Sequence, residues 1–128
     1  MTDKQYRGLN RLINRLCKRW LGTLGFNRWL VRCTVYRTPK EGSPDCVASC
    51  DAQWEYQSMW LKFYGPKCLD LTEKEFEEVF IHECVHGLVS EMREWSSDKM
   101  YHEEHVVTML TQAICWAKFD GLKERKKK

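Results

Sequence analysis

Residues 82–86 read His-Glu-Cys-Val-His, and they lie inside the strongest helix signal of the chain. Thr72-Glu73-Lys74-Glu75 has the form of a capping box, with Thr72 as the cap and Glu75 reaching back to it. Leu71 and Phe76 are placed to staple that cap. The pattern predicts a helix over about 73–94. Such a helix must bury one face, and at 100° per residue Ile81, Cys84, Val85, Leu88, Met92 and Trp95 share an apolar one. His82, Glu83 and His86 fall on the adjacent face. Positions four apart stand one turn apart on a helix. His82 and His86 can therefore direct two imidazoles at a single metal ion, and the Glu83 carboxylate can reach a water beside it. Nitrogen ligands with a separate base are what a zinc hydrolase requires.

The rest of the chain must supply the other walls. With 128 residues, 43% of them hydrophobic, it fits one domain, 1–128, with a real core. That composition excludes an intrinsically disordered chain. No apolar run is long enough to span a bilayer, which argues against a membrane protein. The opening MTDKQYRGLN has no signal-peptide core, so the expected location is the cytoplasm, or the host cytoplasm if the protein is viral. Seven cysteines, an odd number without any Cys-x-x-Cys pair, read as reduced thiols.

Tyr6, Leu9, Leu12, Ile13, Leu16, Cys17, Trp20, Leu21 and Leu24 recur at helical spacing, so residues about 4–24 are expected to form an amphipathic helix, ended by Gly22 and Gly25. Residues 30–36, about 46–56 and 58–64 are rich in β-formers, with turn residues at 38–45 and a tight turn near Gln57. They predict a three-stranded, mostly antiparallel meander ended by Gly65-Pro66. Ser96-Ser97-Asp98 supplies caps for a last helix at about 98–118, with Val106, Val107, Leu110, Ala113, Ile114 and Ala117 on its core face. The fold class is α+β.

Two histidines do not complete a catalytic zinc site, which takes three protein ligands and keeps a fourth position for water. The last helix offers His102, Glu103, Glu104 and His105. Glu103 lies mid-stripe, in line with Val107, Leu110 and Ile114. A carboxylate there is costly unless paired or metal-bound, which favours Glu103 as third ligand. His102 and Glu104 lie at opposite edges of the stripe and stay open as alternatives; His105 points away.

HECVH, followed seventeen residues after the second His by Glu103 in HEEHVV, resembles the H-E-x-x-H…E pattern of the gluzincin branch of zincin metallopeptidases. The order N-terminal helix, three-stranded sheet, HExxH helix, C-terminal ligand helix is similar to their small, single-domain phage- or prokaryote-encoded members. The resemblance implies a zincin-like fold and an intracellular metallopeptidase. It implies one catalytic Zn²⁺ on His82, His86 and Glu103, and Glu83 as general base for a zinc-activated water. The substrate would be a peptide or protein strand added to a sheet edge, with Ser58–Tyr64 the expected edge. Trp54, Tyr56, Trp60 and Phe63 are read mostly as core or half-exposed sheet residues. Tyr64, Arg93, Tyr101, His102 and His105 have the chemistry of an oxyanion stabiliser, and Glu75 and Glu78 that of outer partners for the histidines.

Two rival readings remain. Cys33, Cys46, Cys50 and Cys68 could converge on a structural zinc. Charge is also segregated: residues 1–40 carry ten Lys/Arg against Asp3 alone, and the tail from Lys123 to Lys128 adds five more basic residues. Arg7, Arg11, Arg15, Lys18 and that Lys-rich tail, expected to be disordered, could hold nucleic acid nonspecifically, alongside peptidase activity or in a zinc-containing binding or regulatory module without it.

Overall fold

The structure, a computed structural model, describes residues 1–95 and 103–120, without the side chains of 93–95 and 120. Helix α1 (Asp3–Trp20) opens on a capping box formed by Thr2 and Gln5 and buries Leu9, Ile13, Leu16 and Trp20. Helical turns continue to Gly25, which takes φ 91°. There Phe26 N–H bonds Leu21 C=O and Gly25 N–H bonds Gly22 C=O, closing the chain in a Schellman motif. Strands β1 (Leu30–Tyr36), β2 (Ala48–Gln53) and β3 (Ser58–Tyr64) follow, then a single turn, α2 (Gly65–Cys68), then α3 (Glu73–Trp95) and α4 (Glu103–Cys115), which runs into a π-helical turn at Trp116–Asp120. The α+β class stands, and so does the capping box, with Thr72 N–H donating to Glu75 (3.0 Å) and Glu75 N–H to Thr72 (3.2 Å).

The sheet departs from the expected meander. Its order is β1-β3-β2, with β3 parallel to β1 and antiparallel to β2. Only the β2–β3 pairing and the turn at Gln57 (φ 49°) are as read; the second strand is shorter than expected, ending at Gln53, and Trp54–Tyr56 form a 3-10 turn. The reason lies in side-chain size. β3 points Met59, Leu61 and Phe63 inward, all buried, and such a strand belongs in the middle. Opposite them β2 offers Ala48, Cys50 and Ala52. These small residues let α3 lie close along β2. The segment 37–47 is too long for a tight hairpin and carries the chain past the slot that β3 fills. β3 is therefore central, not the edge; the edges are β1 and β2.

Helix α3 sits at the centre of the fold. Phe76, Phe80, Ile81, Cys84, Val85 and Val89 are buried. Leu88 and Met92, expected in the core face, are 44% and 60% exposed. The helix is covered on two sides, by the sheet and by α4, so its buried arc is wider than one stripe and rotated from the one read off a wheel. Gly87, next to His86, allows the close approach: a Cβ there would lie 2.5 Å from Met59 Sδ. At its start, buried Glu77 accepts two bonds from Arg19, at 2.6 and 2.9 Å, and one from Trp20 Nε1 at 3.4 Å, tying α3 to α1. On α4 the buried residues are Val107, Thr111 and Cys115, while Leu110 and Ala113, and Ala117 in the turn that follows, are exposed.

Phe80 is fully buried and stacks on Phe63, their ring centroids 6.2 Å apart. Phe80→Ala is expected to lower unfolding stability by about 3–5 kcal/mol, a large share of a domain's usual margin of about 5–15 kcal/mol. Urea denaturation of both proteins measures it; a midpoint unchanged from wild type would contradict this packing.

Candidate metal centre

The middle of α3 and the start of α4 bring four ionisable side chains together. His82 Nε2 lies 3.2 Å from Glu104 Oε2, and His86 Nε2 lies 2.9 Å from Glu104 Oε1. The two imidazole centroids are 5.0 Å apart at 72°. Ligand atoms from His82, His86 and Glu104 all fall within 4.8 Å of one another. Two ligands of a tetrahedral zinc, each about 2.0–2.1 Å from the ion, are separated by about 3.3 Å. The carboxylate–imidazole spacings are close to that value, and the donor set of two nitrogens and one carboxylate suits the ion. Among the described residues this is the one group of three metal-ligating side chains so closely spaced, and no cysteine belongs to it.

Glu103 and Glu104 are placed differently from what the helical wheel suggested. Glu103 is the more buried side chain, 17% exposed against 75% for Glu104, as its place in the stripe predicted. Its Oε2, however, lies 3.1 Å from His86 Nδ1, on the far side of the ring. Glu104, the alternative at the stripe edge, is the carboxylate placed among the Nε2 atoms. A His that gives its Nδ1–H to a carboxylate keeps the Nε2 lone pair for a metal and is held in one orientation. Glu75 and Glu78, which have the chemistry of outer partners, lie elsewhere on α3. Glu75 closes the α3 cap, and both line the adjoining groove.

Glu83 is buried. Burial pushes its carboxyl up to about 7; Glu104 adds to the rise, while His86 and Lys40 oppose it. Burial likewise lowers the His82 imidazole, partly offset by Glu104. A carboxyl that titrates near neutrality is suited to take and return a proton. The same shift sets a stability signature. Between about pH 4.5 and 7 the folded metal-free chain holds a proton on Glu83 that the unfolded chain has lost. This group's contribution is thus complete below the unfolded value and lost as pH rises to about 7. Glu83→Gln removes it, so the metal-free variant gains on wild type by up to about 3 kcal/mol between pH 4.5 and 7.5. Paired urea titrations at the two pH values test this; equal differences at both would contradict a raised Glu83.

His82, Glu83 and Glu104 open on a groove of about 570 Å³, bordered on the sheet side by Val47 and Ala48. Sequence reading missed Thr111 in its lining, a buried residue whose hydroxyl has no hydrogen-bond partner among the described residues. A polar residue in line with Val107 and Cys115 was the available signal. Of the residues considered for an oxyanion, Tyr64 is buried and stacks on Tyr36, away from this groove, and His105 is exposed. Tyr101, His102 and the Arg93 side chain lie outside the described residues, as do the caps at 96–98 and the basic tail. Arg7, Arg11, Arg15 and Lys18 are exposed on α1, and Arg15 pairs with Glu73 at 3.6 Å. Among the described residues no helix is long and apolar enough to cross a membrane. No protein-family model, curated protein or solved structure matches the chain.

Proposed function

We propose that this chain is a zinc-dependent peptidase, a minimal zincin of the H-E-x-x-H…E type, with His82, His86 and Glu104 as the metal ligands. The observation that carries the reading is the convergence of two Nε2 atoms and a carboxylate at a groove, beside a buried carboxyl held near neutrality. A zinc ion held by His82, His86 and Glu104 would supply Lewis acidity, to acidify a water and polarise a carbonyl. Glu83 takes the proton from the attacking water, holds it, and passes it to the leaving amine. Glu103 keeps the His86 ring aimed. The bond broken is a peptide C–N bond, and the products are a carboxylic acid and an amine.

The substrate backbone would run along β2. Among the described residues that strand pairs only with β3, and Val47 just before it and Ala48 at its start border the groove. An extended peptide can pair with such an edge. Glu75 and Glu78 border the same groove and favour basic side chains near the scissile bond. The test is direct. Protein purified without chelator should carry about one zinc per chain and cleave an unfolded protein substrate. Chelation should stop cleavage, and zinc should restore it. A chain that neither holds nor takes up zinc at neutral pH contradicts the proposal.

A further inference from the structure

All seven cysteines are thiols, and their surroundings differ. Cys46 donates to Ala48 C=O at 3.2 Å and Cys68 to Val47 C=O at 3.6 Å. Burial pushes the Cys68 thiol up to about 12 and Cys84 well above its usual value. Cys17 and Cys33 are different. Cys17 comes from α1 and Cys33 from the inward face of β1, and their sulfurs face each other at 3.8 Å. Both are only partly buried.

We propose that Cys17 and Cys33 form a dithiol site of reversible oxidation, closed to a disulfide by a small-molecule disulfide such as oxidised glutathione. The sulfurs are already in contact, so forming the bond of about 2.05 Å needs under 2 Å of approach, which side-chain rotation can supply. Either sulfur can donate in this contact, which lowers the Cys17 thiol and raises that of Cys33, and burial raises Cys33 further. That direction favours Cys17 as the attacking sulfur. Its thiolate attacks one sulfur of oxidised glutathione, the S–S bond breaks, and a glutathione thiolate leaves. With Cys17 now in a mixed disulfide, its charge no longer restrains Cys33. Cys33 loses its proton to solvent, attacks the Cys17 sulfur, and expels the second glutathione thiolate. Two protein thiols have lost two electrons and two protons, and one glutathione disulfide has become two glutathiones. The resulting bond staples α1 to the sheet, independently of any reaction at the metal centre.

Full-length protein incubated with oxidised glutathione and then alkylated tests the proposal. Before alkylation the intact mass should fall by two hydrogens, and afterwards five of the seven cysteines should carry the label. Non-reducing tryptic digestion should then join the peptides Leu16–Lys18 and Cys33–Arg37. Cys33→Ser should stop at a stable glutathione adduct on Cys17, a result that a merely accidental late oxidation would not give. A persistent mixed disulfide in wild type, a link through any other cysteine, or both thiols still alkylatable would overturn it.

Discussion

Glu83→Gln is expected to lower kcat/KM for a peptide substrate by two to four orders of magnitude, the range general acid–base catalysis supplies, while zinc stays at about one per chain. The amide keeps the size of the buried side chain and its place on α3, so packing is conserved. It cannot take a proton from water or return one to an amine. Glu83 is not among the three clustered ligand residues, so metal content should not follow activity. Zinc determination and steady-state kinetics on the same preparation separate the two. A variant that stays active removes Glu83 from the mechanism, and one that loses its zinc makes it a ligand.

The second large effect distinguishes two neighbouring carboxylates. Glu104→Ala removes an oxygen pair lying 2.9–3.2 Å from both Nε2 atoms. Zinc affinity should fall by more than about 100-fold, beyond what loss of an outer partner causes. Glu103→Ala leaves the three ligands and frees the far side of the His86 ring, so affinity should fall by about 10–100-fold. Competition with a chromogenic chelator measures both. The reverse order would make Glu103 the ligand and Glu104 its bystander.

That contrast also shows how far a sequence can be read. His82, Glu83 and His86 share a helix, and their relation follows from 3.6 residues per turn and a capping box that appears as read. The partner carboxylate belongs to another helix. The burial argument singled out Glu103, and Glu103 is indeed the more buried. Burial, however, selects a carboxylate satisfied inside the protein, here by His86 Nδ1. The carboxylate beside the groove and between the Nε2 atoms, Glu104, is open to solvent instead. The same limit shows in the strands. Their positions and the turn at Gln57 were legible, because alternation and turn chemistry are local.

What the chain determined by itself was local: where helices begin and stop, which runs extend, and which side chains share one helical face. Tertiary structure decided the rest, namely the central place of β3, the rotation that exposes Leu88 and Met92, and which of two adjacent glutamates at the start of α4 faces the Nε2 atoms. Those depend on distances between segments far apart in sequence. Such distances are set by how large side chains on β3 and small ones on β2 pack beneath α3, and no periodicity within a single segment encodes them.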